Sequence, residues 1–254
     1  RDSPHTIPHL YTIDWDICTR CGVCVEKCPT KAIQLGDAET SRQLPAGAII
    51  LSTGFEEFDA CQATQYGYKR YPNVINSIEL ERMLSPSGPF GGELLRPADG
   101  RTPRSVAFLQ CIGSRDSQRG YCSSACCMFA LKEAALIKQF NPQIDVHIFF
   151  MDMRAFGKGH YRYYEQVKEE SGVKFTRCRV PVVKEDPQSK GLFFTAITED
   201  GTLVKRQFEL VVLSAGQTPA ARFQELCQVL GVEVNKWGFC QSKNFSPVET
   251  TRDG

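Results

Sequence analysis

Apolar positions along the chain fall into short continuous runs and helical stripes, and their order predicts an α/β fold. The run Val106-Ala107-Phe108-Leu109 has the unbroken hydrophobicity of a strand covered on both faces. Residues 128–140, MFALKEAALIKQF, follow as a helix pattern, and residues 146–151 form the next strand-like run. Strand, loop, helix, strand is the order of a dinucleotide-binding βαβ unit. Further helices are expected at 77–84, from His160 to about Glu170, and at 223–230, where Gly231 ends the last one. A strand is expected at 172–175, and a β-meander at 180–183, 192–198 and 203–207, broken by the turns EDPQSKG and EDG. Two longer stretches, AGAIILSTG at 46–54 and FELVVLSAG at 208–216, share one design: an apolar strand, two small residues, then glycine. Small residues there let backbone approach a cofactor or a domain crossover. Residues 55–104, rich in turn formers, read as a surface excursion and linker. Short strands are expected at 11–13 and 31–35, after an extended lead-in with Pro4, Pro8 and two exposed histidines, His5 and His9.

A βαβ unit of this kind normally carries a G-x-G-x-x-G loop, whose glycines admit a pyrophosphate. Here the loop holds Cys111, Cys122, Cys126 and Cys127 instead. A metal cluster is therefore expected where the fold would otherwise hold a nicotinamide cofactor. The competing reading makes Cys126 or Cys127 a small buried core residue. Adjacent residues on a helix diverge by about 100°, so both reach one cluster only near a helix end, where Ser123 and Ser124 are candidate caps. Asp152, Arg154 and Lys158 are expected to cap or face that site, and the aromatic residues 161–164 to serve packing.

A second cysteine group, CTRCGVCVEKCP, places Cys18, Cys21, Cys24 and Cys28 at C-x2-C-x2-C-x3-C-P spacing, with Pro29 following. This is bacterial ferredoxin spacing, in which three thiolates wrap one cubane and the fourth turns toward another cluster. Zinc sites usually separate two cysteine pairs rather than pack four cysteines so tightly. No second ferredoxin motif is present, so Cys28 needs a partner motif before Arg1 or a later cysteine. Cys61 reads as a free thiol, Cys178 as structural, and Cys227 and Cys240 as unliganded. The chain has twelve cysteines, and their two tight groups favour metal over a disulfide framework and a reducing cytoplasm.

Composition adds bounds. The 254 residues are 42% hydrophobic, enough for a real core, with a net charge of +1 and no run of like charges. That gives no basis for nucleic-acid or membrane-surface binding. No apolar run approaches the roughly 18 residues of a membrane span, and no signal-peptide pattern opens the chain. The start at Arg1 and the ending RDG suggest a fragment or a processed subunit.

CIGSRD, then YCSSACCMFALKEA and DMRAFGKG, closely resemble the A-type subunit of heterodisulfide reductase, as do CTRCGVCVEKCPTKAI and AIILSTGFEEFD. The resemblance implies a thioredoxin-reductase-like α/β core with a small ferredoxin-like α+β insert. Expected domains are a ferredoxin-like segment at 1–40, part of a FAD-binding domain and linker at 41–103, a Rossmann domain carrying a cluster at 104–216, and a return into the FAD-binding domain at 217–254. It implies two or more [4Fe–4S] clusters and FAD, with Cys111, Cys122, Cys126 and Cys127 ligating one cluster and Cys18, Cys21, Cys24 and Cys28 serving the ferredoxin motif. Thr53 and Gly54 are the residues expected near flavin; the family's N-terminal GxGxxG and C-terminal ferredoxin module are absent here. The implied function is that of an oxidoreductase component passing electrons between clusters and FAD, some members through flavin-based electron bifurcation. No side chain is required as acid, base or nucleophile, and the segment alone is expected to be inactive. Implied partners are the other heterodisulfide reductase subunits, hydrogenase or formate dehydrogenase-type donors and ferredoxin, around a homodimer. The alternative is a flavin-free electron-transfer or scaffold module.

Overall fold

The computed structural model describes residues 2–3, 10–11, 13–35, 41–198 and 200–253, which fall into two compact units, residues 1–49 and 50–253. In the first unit, β1 (Asp2–Ser3) pairs antiparallel with β2 (Leu10–Tyr11), and α1 (Val23–Lys27) is a short helix started by Gly22 at φ 78°. The strand expected at 31–35 does not form. His5 and His9 lie outside the described residues.

The second unit runs β3 (Phe55–Glu57), β4 (Val74–Asn76), α2 (Ser77–Leu84), β5 (Ser105–Ile112), α3 (Cys126–Phe140), β6 (Asp145–Phe150), α4 (His160–Glu170), β7 (Lys174–Arg177), β8 (Lys184–Glu185), β9 (Leu192–Ile197), β10 (Leu203–Phe208), β11 (Leu210–Ala215), β12 (Gln217–Pro219), α5 (Phe223–Leu230), β13 (Ser242–Lys243) and β14 (Ser246–Thr250). A five-stranded sheet of order β4-β11-β5-β6-β7, parallel throughout, forms its centre. Alternate residues serve its two faces. Val106, Phe108, Val146, Ile148, Leu210 and Val212 pack toward Leu80, Ala130, Leu131, Ala134, Ile137 and Val167 of α2, α3 and α4. Ala107, Leu109, Phe149, Val211 and Leu213 face the other core, where Leu192, Phe194 and Phe208 of the antiparallel β8-β9-β10 sheet cover them. Burial on both faces explains the unbroken apolar runs, and each fully buried large side chain contributes about 1.5–3 kcal/mol.

Most helices and strands form within a few residues of their predicted positions, but three stretches differ. Residues 46–54 form no strand, and Ile49 and Ile50 are exposed. A buried strand needs a neighbour for its backbone groups, and none pairs with this run among the described residues. The local strand is β3, which pairs antiparallel with β12. Residues 55–104 are not a surface excursion: Phe58, Ala60, Ala63 and Tyr66 are core, and β4 is an edge strand of the central sheet. In the meander, the first strand is Lys184–Glu185, while Val180 and Val183 are buried without strand pairing. No helix among the described residues is long and apolar enough to cross a membrane.

One buried polar contact ties α2 to α3. The Ser77 hydroxyl lies 2.8 Å from both carboxylate oxygens of Glu133, and both residues are buried. Burial pushes the Glu133 carboxyl up to about 8 from 4.5, so the group is largely neutral when folded near neutral pH. A raised carboxyl gives stability that is present in full below its unfolded value and lost as pH rises through the folded one. Glu133→Gln keeps a neutral acceptor for Ser77. The wild-type melting temperature, taken relative to the variant's, is therefore expected to fall between about pH 5 and 8 and to level off above. Thermal unfolding of both proteins across that range checks this.

Candidate metal centre

The site lies at the carboxyl ends of β5 and β11. From β5 the chain crosses to β6 on one side, whereas β11 pairs on the other, and the loops beyond the two strands meet, the Tyr121 hydroxyl donating to Gln217 O at 2.9 Å. A register shift between Leu213 and Ala215 sets Ala215 opposite Ile112. The loop after β5 is tightly held. Gly113 has φ 68°, and a Cβ there would stand 2.0 Å from the Phe58 ring. Arg115 N donates to Tyr121 O at 3.0 Å, and Asp116 Oδ1 accepts from the amides of Gln118 and Arg119.

The four predicted cysteines come together here from three segments. Cys111, next to last in β5, sits in the left-handed region at φ 62°, a costly conformation for a non-glycine residue. Cys122 lies in the following loop and accepts from Ser124 N at 3.3 Å. Cys126 and Cys127 open α3, and the Cys126 thiol donates to Ala215 O at 3.2 Å. The helix end that lets adjacent cysteines both face a site is therefore present. Neither serine caps it: the residue before the helix is Ala125, and Ser123 Oγ instead accepts from Gln217 N at 2.7 Å.

Burial pushes the Cys126 thiol up to about 12 and Cys127 to about 11, with the neighbouring cysteines adding to both. Cys111 is also raised by burial, against an opposing pull from Arg115. The neighbouring sulfurs that oppose ionisation of Cys126 and Cys127 suit a cationic group that would neutralise their thiolates, and the helix N-terminus adds partial positive charge. No three His, Cys, Asp or Glu side chains among the described residues are placed to hold a single metal ion. In a [4Fe–4S] cluster each thiolate binds a different iron, so the donor set fits a cluster. Asp152, at the end of β6, accepts from Arg115 and from Arg154 Nε, the latter at 2.8 Å. Sequence reasoning placed Asp152 and Arg154 at this site but passed over Arg115, whose only signal was its position between two glycine- and serine-rich turns.

The ferredoxin-type cysteines belong to the first unit. Cys18 Sγ accepts from Arg20 N at 3.4 Å and Cys28 Sγ from Ala32 N at 3.3 Å. The Val23 amide and Thr19 hydroxyl lower the Cys21 thiol, and the Thr30 hydroxyl and Ala32 amide lower Cys28. Such donors favour thiolate, as a cluster requires. In the second unit, Thr53 borders a groove of about 390 Å³ with Ala220, Arg222 and Phe223, and Gly54 turns at φ 73° beside open space. Cys178 and Cys227 are buried; Cys61 and Cys240 are partly exposed.

A 4Fe-4S binding domain family matches residues 11–34. Over 98% of its length the chain is 46% identical to the A-type iron-sulfur subunit of the CoB–CoM heterodisulfide reductase of Methanocaldococcus jannaschii, covering 38% of that protein. Over nearly its whole length the chain is similar to the A-type subunits of heterodisulfide reductases. Another of these, the A-type subunit of the H2/formate:CoB-CoM heterodisulfide,ferredoxin reductase of Methanococcus maripaludis, is 42% identical over 99% of the chain and 39% of its own length. The chain thus spans about two fifths of these relatives. An ornithine N-hydroxylase from Kutzneria sp. 744 overlaps 56% of the chain and 42% of its own at 12% identity and a TM-score of 0.32, too loose to add to the fold.

The loop geometry yields a test of its own. Gly113→Ala combines a left-handed backbone with a clash against Phe58 and is expected to cost about 2–4 kcal/mol in urea unfolding.

Proposed function

We propose that this chain is the electron-carrying segment of an iron–sulfur flavoprotein subunit in a cytoplasmic heterodisulfide reductase-type complex. What supports this is the proximity of Cys111, Cys122, Cys126 and Cys127 beyond the carboxyl end of β5, where this fold would hold a dinucleotide. Those four residues would hold one [4Fe–4S] cluster. Cys18, Cys21 and Cys24 would hold iron of another, with Cys28 completing it or turning to a neighbouring cluster. A bound cluster supplies a one-electron couple and FAD a two-electron one. The chain's own work is to supply thiolates, fix their spacing and exclude water. Burial does the last at Cys111 and Cys127, while the Cys126 thiol, held to Ala215 O, marks where the cluster would meet the sheet. Thr53 and Gly54 would border the flavin, supported by the groove beside Thr53 and the open glycine turn. The partners fitting this role are heterodisulfide-reducing subunits, hydrogenase or formate dehydrogenase-type donors, and ferredoxin, with flavin-based bifurcation as the use made of the relay.

The test is cofactor analysis of the full-length protein purified without oxygen. Replacing Cys111, Cys122, Cys126 and Cys127 together with Ser is expected to remove about four irons and four sulfides per chain and one reduced-state electron paramagnetic resonance signal. Full iron content in that variant would overturn the assignment. Extraction is expected to release FAD; clusters without flavin would reduce the role to flavin-free electron transfer.

A further inference from the structure

Arg115 is fixed more firmly than a surface arginine. Its backbone sits at φ 55°, its amide donates to Tyr121 O, and its carbonyl accepts from Arg179 Nη1 at 3.4 Å. Its side chain is only 21% exposed and is paired with Asp152. Arg115 lies four residues beyond Cys111, and its positive charge pulls the Cys111 thiol down against burial. Asp152 is shared, since Arg154 binds its other oxygen. Two guanidiniums on one carboxylate leave a net positive charge, and Arg115 delivers it to a cysteine at the centre of the site.

We propose that Arg115, paired with Asp152, is a positioning residue that raises the reduction potential of the cluster held at Cys111. This rests on the assignment of Cys111, Cys122, Cys126 and Cys127 as ligands. Reduction adds one electron to the cluster and no proton to the protein, and Arg115 keeps its charge in both states. A fixed positive charge beside a ligand sulfur stabilises the reduced, more negative state, and more so in a site of low dielectric. Asp152 offsets part of that charge, while the backbone contacts of Arg115 with Tyr121 and Arg179 hold the residue independently of the carboxylate.

The experiment is a mediated redox titration of the full-length protein in its complex, following by electron paramagnetic resonance the signal that Cys111→Ser abolishes. Arg115→Gln is expected to lower the reduced-to-oxidised ratio at fixed potential about tenfold, a fall of about 59 mV for one electron. Asp152→Asn is expected to shift the midpoint the other way, and Arg115→Lys to restore most of the wild-type value. A merely structural role would not give shifts of opposite sign. Midpoints unchanged in both variants, or moved in the same direction, overturn the proposal while leaving the ligand assignment standing. Should Arg115→Gln fail to assemble the cluster, the direction of the Asp152→Asn shift decides alone: upward supports, unchanged or downward overturns. If no signal depends on Cys111, the ligand assignment itself fails.

Discussion

The parallel pairing of β5 with β11 is the constraint on which the site depends. It sets the centre of the sheet and brings the segments that leave its two strands together, Gln217 beyond β11 bonding to Ser123 and Tyr121 beyond β5. Pairing is regular from Leu210↔Val106 to Leu213↔Leu109 and then slips, which brings Ala215 opposite Ile112. The slip leaves Ala215 O facing the start of α3, where Cys126 takes it up, and Gly216 N closes the end of the ladder on Ile112 O at 2.7 Å. The close fit of Gly113 under Phe58 then fixes the direction in which the chain leaves β5.

The two cysteine groups illustrate two environments for the same ligand. In the ferredoxin-type segment the thiols are exposed or half-buried, and nearby amides and hydroxyls favour the ionised form of Cys21 and Cys28. Near the end of β5, burial and neighbouring sulfurs oppose ionisation of Cys111, Cys126 and Cys127. Thiolates of the second kind would need compensating positive charge, part of which the amino end of α3 and Arg115 supply. Clusters held in such different surroundings would differ in potential through solvent exposure and hydrogen bonding alone.

What the sequence disclosed follows the range of the signals. Cysteine spacing is a local pattern, and helices such as 77–84 and 223–230 announce themselves through caps: the Asn76 and Glu79 capping box at one end, Gly231 in the left-handed region at the other. The βαβ order was equally legible because β5, α3 and β6 are consecutive. Edge strand β4 was not, since Val74-Ile75-Asn76 is only three residues and finds its partner in Val211, Val212 and Leu213, far along the chain. The run at 46–54 misled for the reverse reason: its composition suits a buried strand, but strandhood is a property of a pair. Glu133 was hidden because a carboxylate in a helix normally faces water, and only the Ser77 contact on α2 makes its burial tolerable. Arg115 looked like an ordinary loop arginine because its left-handed backbone and its pairing with Asp152 arise from tertiary structure.

The adjacency of Cys126 and Cys127 then takes on a different meaning. Side chains on neighbouring helical residues point about 100° apart, which looks unsuited to sharing one ligand. In the structure Cys126 leans to Ala215 at the end of β11, while Cys127 meets the backbone of Arg154 beyond β6. In the sheet β5 lies between those two strands, and Cys111 stands near its end. The divergence therefore lets the pair bracket Cys111 from both sides. A single ion would draw these sulfurs to one point, whereas a group with several iron corners presents a separate acceptor in each direction. The adjacent cysteines thus follow from strand order: the helix starts over the middle strand, and its first two side chains reach toward the strands on either side.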